Sequence, residues 1–408
     1  MNLRVLEGGG ITSPRGYETG AVYVGVKSHK SYKPDVAILY TKRPAACAAL
    51  FTTNRFCAAP VLVDREILRA GRPVHGVVIN SGNANAGTGA AGLASARRVE
   101  ALAEELLGLD AGEMFVSSTG VIGERYPVEK VEDAVRRIVP TLSPESGTDA
   151  AWAIMTTDRH KKEYACELTL SGGCVRIGAM AKGSGMIHPN MATTLTFITT
   201  DAAIDRDVLQ EMLRTACDGS LHMLTVDGDI STNDSMFLFA NGASGVAVES
   251  EADRAAFGAA LNELCSDIAR RIAADGEGAC RSLVVEAAGL LSNEDARSVA
   301  RIVAGSTAVK KALGALRLHW GPVLTAVGCA RAELSSEHLS CRVSSAAGEL
   351  VLAQEGMGTE VNPERLEDVL TEPEVTLSLD FHMGPYRATA YGCDLTGEYV
   401  RLNGDYRT

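Results

Sequence analysis

The stretch KGSGMIHPNMATTLTFITT, residues 182–200, joins a glycine-rich loop to a segment with strong strand propensity. The Gly-Ser-Gly and the proline favour turns, whereas the following threonine, phenylalanine and isoleucine residues favour a strand. Thr193 therefore lies where the loop passes into the strand, beside the small residue Ala192. Taken alone, this pattern is more typical of a threonine-rich strand after a loop than of a reactive hydroxyl.

Strand-like and helix-like segments alternate on both sides of this stretch. Runs rich in β-branched residues and bounded by Gly, Pro or Asn predict strands at 22–26, 36–40, 74–80, 164–170 and 195–200. Apolar residues at helical spacing predict helices at 93–107, 128–138, 208–216 and 254–274. This mixed order predicts a layered α/β architecture.

A smaller C-terminal unit is predicted to begin near residue 289. Ser292 followed by Asp295 is typical of a helix start, and predicted strands follow at 341–344, 375–379, 388–391 and 399–402. A chain of 408 residues is long enough for two or three structural units. We therefore predict a main catalytic domain over residues 1–288 and a smaller domain over residues 289–408.

The composition argues against several classes of function. A net charge of -12, with no block rich in lysine and arginine, argues against a nucleic-acid partner. No signal peptide is recognisable, and no apolar run approaches the roughly 18 residues that cross a bilayer, so a soluble cytoplasmic protein without a membrane partner is expected. The ten cysteines include no C-x-x-C pair, and no H-E-x-x-H is present, so no metal site is predicted.

Two local motifs suggest other activities. Residues 87–92, GTGAAG, match the dinucleotide pattern G-x-G-x-x-G, but a six-residue polar loop separates them from the preceding strand, which favours a plain glycine-rich loop. Asp227 and Asp229 suggest calcium, but a calcium loop counted from Asp227 requires glycine and glutamate where Thr232 and Leu238 stand. A polar structural or site-lining loop is the better interpretation of this segment.

Several segments resemble signatures of the ornithine acetyltransferase family, also called the ArgJ family. Besides residues 182–195, they are FTTNR at 51–55, NSGNAN at 80–85, STGVIG at 118–123, TVDGDISTND at 225–234 and CDLT at 393–396. They follow the family's order over nearly the whole chain. The resemblance implies a four-layer α-β-β-α sandwich of the N-terminal-nucleophile type, and self-cleavage between Ala192 and Thr193.

The resemblance also implies a chemistry. After cleavage into chains 1–192 and 193–408, Thr193 would be the nucleophile and its new α-amine the base. Thr193 would take an acetyl group from N-acetylornithine and pass it to glutamate, while the Thr119 hydroxyl and the Gly120 amide would form the oxyanion hole. By the same resemblance, substrate contacts fall on Thr156, Lys182, Thr193, Glu277, Asn403 and Thr408. The two chains are expected to stay together as a dimer of such pairs, without a cofactor, and acetyl-CoA is left open as a second donor.

Departures from the family pattern leave alternatives open. Gly87 stands where the family often has cysteine, and Thr194 where it usually has methionine, which fits a divergent paralogue with another acyl donor or acceptor. An aminopeptidase or amidase would use the same nucleophile, with water resolving the acyl-enzyme. A nicotinamide-dependent oxidoreductase using residues 87–92 and a non-catalytic binding protein are the remaining alternatives.

Overall fold

A computed structural model describes residues 3–27, 33–188 and 194–405. The strands in these ranges follow the β-branched and aromatic runs of the sequence. They are β1 (Leu3–Val5), β2 (Tyr17–Val22), β3 (Val36–Phe51), β4 (Val74–Asn83), β5 (Met114–Val121), β6 (Lys162–Leu170), β7 (Gly173–Lys182), β8 (Leu195–Thr200), β9 (Ser235–Ala240), β10 (Ser282–Leu290), β11 (Ser340–Ser345), β12 (Gly348–Gln354), β13 (Met357–Gly358), β14 (Glu374–Asp380) and β15 (Tyr386–Cys393).

The α-helices of the described residues begin at recognisable capping residues in several cases. Asp205, Ser250 and Ser292 each accept a hydrogen bond from a main-chain N–H in the first turn, as the sequence predicted for Ser292. The helices are α1 (Ala59–Ala70), α2 (Gly89–Leu107), α3 (Val128–Ile138), α4 (Gly147–Ala153), α5 (Arg206–Asp218), α6 (Glu251–Ala274), α7 (Asn293–Gly305), α8 (Thr307–Gly314), α9 (Trp320–Val327), α10 (Pro363–Thr371) and α11 (Gly397–Asp405). Within the described ranges, no helix is both long and apolar enough to cross a membrane.

The first sheet has the strand order β1-β6-β7-β8-β9-β3-β4-β5, with β2 also paired to β3. Strand β3 is 16 residues long, and its register shifts between Tyr40 and Ala45. Its first part pairs with β2 and β4, and its last part pairs with β9. Because one strand serves both parts, the sheet divides at β3 into two layers.

The two layers pack face to face over an aromatic core. Phe237 on β9 lies 4.9 Å from Phe115 on β5 and 5.6 Å from Phe197 on β8, measured between ring centroids. Helices α5 and α6 cover the outer face of the layer that contains β6–β9, and α1, α2 and α3 cover the other layer. The predicted four-layer α-β-β-α sandwich is confirmed.

A second sheet, of order β13-β12-β11-β14-β10-β15, packs with α7, α8 and α9 over its own core. The predicted boundary between residues 288 and 289 falls inside β10, which pairs with β14 and β15 of this second sheet. The division of the chain at that point stays a prediction, and the strand pairing favours a division before residue 282.

Two predicted strands are wrong in position or type. The strand predicted at 22–26 is replaced by β2, because the Asp35 carboxylate binds the main-chain N–H groups of Val24, Val26 and Lys27 and takes them out of strand pairing. The strand predicted at 399–402 lies within α11 instead. The Thr396 hydroxyl accepts a hydrogen bond from the main chain of Glu398 just before this helix, in the manner of an N-cap.

Candidate active site

One cleft lies where the end of β5, the loop after β7, the loop before β9 and helix α11 converge. It contains every described residue that the sequence predicted for the site, whereas Ala192, Thr193 and Thr408 lie outside the described residues. The predicted members of its wall are Thr119, Gly120, Thr156, Lys182, Glu277 and Asn403, and the other polar members are Thr157, Asp227, Asp229, Ser231, Asn233 and Tyr399. The structure thus brings the predicted residues together, and their individual roles stay predictions.

Thr119 and Gly120 lie at the end of β5, where it runs parallel to β4 with Gly120 beside Gly82. Gly120 has φ +128°, and a Cβ there would lie 2.4 Å from the Gly82 carbonyl carbon, so only glycine fits. The side chain of Asn233 fixes this strand end by donating to the Ser118 carbonyl at 2.8 Å. A hydroxyl and a glycine amide are therefore held on a rigid strand at the cleft, as an oxyanion hole requires.

Lys182 is the last residue of β7 and is 3% exposed. Burial lowers the pKa of its ammonium, while the negative charges of Asp158, Glu277 and Asp234 counteract that shift. These acids favour the charged form of Lys182, whereas burial and the neighbouring Lys162 ammonium disfavour it, and the net effect is a lowered pKa. The lysine is a positive point charge at the wall of the cleft, suited to a carboxylate ligand.

A buried ionic cluster lies beneath the cleft around Lys162, which is 1% exposed. Its ammonium donates to Asp158 at 2.6 Å, to the Gly183 carbonyl at 3.0 Å and to Asp275. Burial would raise the pKa of Asp158, but the ammonium groups of Lys162 and Lys182 outweigh it and bring that pKa to about 2. Both carboxylates of this cluster, those of Asp158 and Asp275, therefore have hydrogen-bond donors in the uncleaved chain.

The cluster connects the segments that carry the predicted substrate residues. Asp158 accepts hydrogen bonds from the main chain of Thr156 and of Gly183, the latter next to Lys182. Asp275 stands two residues before Glu277, and its carbonyl accepts from the Ser184 hydroxyl at 2.6 Å. Since residues 158–184 precede the predicted cleavage point and Asp275 follows it, these bonds also join the two predicted chains.

The Glu277 carboxylate is buried and has one donor on each oxygen. The Thr157 hydroxyl donates to Oε1 at 2.6 Å, and the Asn403 amide donates to Oε2 at 2.9 Å. The sequence alone also allowed Glu277 to be a solvated loop acid, and the structure excludes that alternative because the side chain faces the cleft. A fixed negative charge thus lies in the same cleft as the Lys182 ammonium.

Helix α11 closes one side of the cleft. Its Tyr399 hydroxyl donates to Asp227 at 3.3 Å, and Asp227 in turn accepts from the main chain of Met186 and Ile187. Burial raises the pKa of Asp227, and these main-chain donors act against the rise. Tyr399 and Asn403 are four residues apart, so both face the cleft on one side of the helix.

Sequence reasoning missed Thr157, Tyr399 and Asp234 as parts of this region. Thr157 has no signal in the sequence except its position beside Thr156. Tyr399 could not be assigned to the site because the sequence predicts a strand at 399–402, where helix α11 lies. Asp234 lies inside the 225–234 signature, yet nothing in the sequence marked it as buried. The prediction that residues 225–231 form a site-lining loop agrees with the positions of Asp227, Asp229 and Ser231.

The glycine-rich motif at residues 87–92 is closed by the side chains of Thr88 and of Asn85, which lies just before the motif. Thr88 donates its hydroxyl hydrogen to the Asn85 side chain at 2.8 Å, and Asn85 donates to the Gly92 carbonyl at 3.0 Å. Five residues separate the end of β4 from the start of α2, so the tight strand-to-helix turn of a dinucleotide site is missing. Among the described residues, no group of three or more His, Cys, Asp or Glu side chains could hold a metal ion.

Comparisons with known proteins find similarity over nearly the whole chain. Residues 18–408 match the model of the ArgJ family. The arginine biosynthesis bifunctional protein ArgJ of Symbiobacterium thermophilum is 44% identical over 98% of this chain and 99% of its own length. The protein of the same name from Dehalococcoides mccartyi is 41% identical over 100% of this chain and 99% of its own.

A solved structure is also similar in sequence. It is the ornithine acetyltransferase of Mycobacterium tuberculosis complexed with ornithine, at 35% identity over 46% of this chain and 99% of the solved chain, with a TM-score of 0.43.

Proposed function

Because the chain belongs to the ArgJ family, we propose that it is an ornithine acetyltransferase that moves an acetyl group from N-acetylornithine to glutamate through Thr193. The family resemblance predicted from the sequence is confirmed by the family model and by the relatives of 41–44% identity. One observation supports the choice of substrate most directly, namely the buried Lys182 ammonium and Glu277 carboxylate in one cleft. N-acetylornithine carries a carboxylate and a free side-chain amine, so opposite fixed charges suit its two ends.

The proposed reaction begins with self-processing. The Thr193 hydroxyl attacks the Ala192 carbonyl, the peptide bond breaks, and water hydrolyses the resulting ester to leave Thr193 with a free α-amine. An unperturbed α-amine has a pKa of about 7.7–8.0, so a useful fraction is neutral near pH 7 and accepts the hydroxyl proton. The uncleaved chain has an amide at this nitrogen and is expected to be inactive in transfer.

Acetyl transfer then takes two steps. The Thr193 oxygen bonds to the acetyl carbon, the amide bond of N-acetylornithine breaks, and ornithine leaves with the proton that the α-amine had taken. The amine of glutamate next attacks the acetyl ester, forming N-acetylglutamate and restoring the threonine hydroxyl. Thr119 and Gly120 would stabilise the oxyanion in each step, Thr156 and Lys182 would bind the shared α-carboxylate end, and Glu277, Asn403 and Thr408 would complete the substrate site.

Both chains of the processed enzyme are proposed to stay in one particle. Strand β7 precedes the cleavage point and β8 follows it, and the two pair over six residues in the middle of the first sheet. Light scattering of the processed enzyme would test the further proposal that two such pairs form a dimer. The unpaired cysteines of the fold favour a reducing compartment, the cytoplasm.

A transfer assay tests this function against hydrolysis. The purified enzyme is incubated with N-acetylornithine, with and without glutamate, and ornithine, acetate and N-acetylglutamate are measured. Ornithine release that depends on glutamate and matches N-acetylglutamate formation is expected. Equal release of acetate without glutamate would instead identify an amidase, and a parallel assay with acetyl-CoA and glutamate decides whether the thioester is a second donor.

A further inference from the structure

Asn233 lies in the loop before β9 and is 5% exposed, and its side chain reaches the ends of two other strands. Its amide nitrogen donates at 2.6 Å to the carbonyl of Ala84, which follows β4, and at 2.8 Å to the carbonyl of Ser118 in β5. Its amide oxygen accepts from the Thr232 hydroxyl at 2.6 Å. Asn233 therefore connects the loop before β9 to β4 and β5 at the wall of the cleft.

The contacts of the Asn233 amide restrict the part that it can play in the reaction. A side-chain amide has two N–H hydrogens, and both are used here on main-chain carbonyls. The group therefore has no hydrogen left with which to stabilise an oxyanion itself. Any effect of Asn233 on acetyl transfer has to pass through the main chain that it holds.

The main chain that Asn233 holds carries both predicted oxyanion donors. The Ser118 carbonyl belongs to the peptide group that leads into Thr119, and the next peptide group supplies the Gly120 N–H. Within the described ranges β5 pairs only with β4, so one side of its backbone has no neighbouring strand. The register between these two strands also shifts directly after Gly82, which lies beside Gly120. Strand pairing is therefore weakest where the two donors lie, and the Asn233 amide adds an anchor there.

The loop that carries Asn233 is itself fixed on both sides of this residue. The carbonyl of Thr232 accepts from the Ala58 main-chain N–H at 2.9 Å. The carbonyl of Asp234 accepts from the Thr52 main-chain N–H, also at 2.9 Å. Asn233 follows the predicted cleavage point, whereas both carbonyls that its side chain binds precede it. Its hydrogen bonds therefore join the two chains of the processed enzyme.

We propose that Asn233 is a positioning residue for the oxyanion hole, and that the second chain of the processed enzyme, residues 193–408, supplies it. This inference rests on the proposed function, in which Thr119 and Gly120 stabilise the charge on the acetyl oxygen. That charge develops in both steps of acetyl transfer, so Asn233 acts in both. Because such donors must be held in place before the transition state forms, loss of this anchor lowers kcat, whereas substrate binding by Lys182 is unchanged.

The test compares Asn233→Ala with Asn241→Ala. Asn241 stands at the other end of β9 and is also 5% exposed, and its amide nitrogen donates to the Arg15 carbonyl at 2.9 Å and to the Thr41 hydroxyl at 3.2 Å. It therefore controls for the loss of a buried amide that joins the two chains outside the cleft. For Asn233→Ala we expect kcat for acetyl transfer to fall roughly 10- to 100-fold, with the KM for N-acetylornithine within about twofold of the wild type. Asn241→Ala should keep both wild-type constants.

Thr119→Val in each background shows whether Asn233 acts through the oxyanion hole. Two substitutions that disable the same group have effects that do not add. The fall in kcat caused by Thr119→Val, roughly 100- to 1,000-fold in the wild type, should be about tenfold smaller or less in Asn233→Ala and unchanged in Asn241→Ala. Intact-mass spectrometry gives the cleaved fraction to which each kcat is referred. Asn233→Ser retains a hydroxyl that can donate to one of the two carbonyls, so it should lose less kcat and replaces the alanine variant if that chain does not fold.

Three results on an active wild type would overturn this assignment and leave the proposed function standing. The first is an Asn233→Ala enzyme with the kcat of the wild type. The second is an equal effect of Thr119→Val in the wild type and in Asn233→Ala, because Asn233 would then act independently of the oxyanion hole. The third is a folded Asn233→Ala chain that stays uncleaved while Thr119→Val cleaves. A wild-type enzyme without acetyl transfer would overturn the proposed function, and this inference with it.

Discussion

The buried acids on two sides of the cleft differ in one respect. Asp158 and Asp275 share the Lys162 ammonium, and each also accepts hydrogen bonds from main-chain N–H groups of its own, so both carboxylates have several donors in the uncleaved chain. Asp234 is equally buried, and the Lys182 ammonium and the Thr194 main-chain N–H only partly offset the effect of that burial on its carboxyl pKa, which is raised. Among the described residues, the acids of the Lys162 cluster therefore have more hydrogen-bond donors than Asp234 has.

The Lys162 cluster also explains how the two chains of the processed enzyme would stay together. The Lys162 cluster joins residues before the cleavage point to Asp275 after it, and a buried ion pair of this kind is costly to break on one side only. Changes on the two sides should consequently have different effects, stability on one and catalysis on the other.

The largest effect is expected from Lys162→Met, which removes the buried cation that Asp158 and Asp275 share. We expect a loss of about 3–5 kcal/mol in the free energy of unfolding. Thr193→Ala serves as the background, so that a single uncleaved chain unfolds, and urea titration followed by circular dichroism gives the value. The control Lys161→Met removes a partly exposed ion pair with Glu163 and should cost about 1 kcal/mol or less. Equal effects of the two substitutions would contradict the role given to the cluster.

Thr119→Val tests the catalytic side. The change keeps the shape of the side chain but removes a proposed oxyanion donor, so kcat for acetyl transfer should fall roughly 100- to 1,000-fold with little change in KM. Steady-state kinetics on cleaved enzyme provide the measurement. Ser118→Ala is the neighbouring control, because its hydroxyl donates to Asn80 at 2.6 Å and has a structural role. A kcat for Thr119→Val within threefold of the wild type would remove Thr119 from the oxyanion hole.

Thr157→Val tests whether Thr157 positions the Glu277 carboxylate in the cleft. It removes one of the two donors that orient Glu277, and the KM for N-acetylornithine should rise about tenfold while kcat stays within twofold. Thr148→Val is the matched control, since its hydroxyl donates to Glu163 at 3.0 Å outside the cleft and its loss should leave KM unchanged. Should both variants bind substrate like the wild type, Glu277 would not depend on Thr157.

The smallest effect concerns Glu100, a buried acid on α2 far from the ionic cluster. Burial raises the pKa of Glu100 to about 7, so the folded state keeps a proton that the unfolded chain loses above its lower pKa. Stability contributed by this protonated group is therefore present at low pH and lost as pH rises from about 4.3 to 7.

The corresponding substitution is Glu100→Gln in the uncleaved Thr193→Ala background. The glutamine stays neutral, so the variant should be about 1–3 kcal/mol more stable than its parent at pH 8 and equal to it at pH 4. Urea titrations at both pH values measure the difference. A stability difference that does not change with pH would mean that Glu100 does not titrate in this range.

Much of the fold could be predicted because local signals and tertiary packing agree. The Ser292 cap, the apolar spacing of α6 and the β-branched run of β8 each specify the element that forms. The strand predicted at 399–402 is wrong because the alternating residues of this segment suit a strand as well as a helix. The start of the helix is fixed by Thr396, whose hydroxyl donates at 2.7 Å to the carbonyl of Gly278, a residue in a distant segment of the chain. Such long-range contacts have no signal in the local sequence.

The residues of the site likewise divide into those that the sequence identifies and those that only the folded chain shows. Family motifs identified the residues that would touch substrate or the reacting atoms, including Thr119, Lys182 and Glu277. The residues that hold them, such as Lys162 and Thr157, lie outside those motifs, and their partners Asp275 and Glu277 are more than 100 residues away along the chain. Burial and partner geometry in the folded chain were needed to identify them.

The central claim is that the chain cuts itself before Thr193 and that the new terminus is the catalytic group. Denaturing intact-mass spectrometry of freshly purified wild-type protein, beside Thr193→Ala, tests it most directly. We predict two fragments that meet between Ala192 and Thr193 for the wild type, and a single chain without transfer activity for the variant. A single wild-type species of 42.9 kDa that transfers acetyl groups would contradict the account, because no α-amine would then exist at Thr193.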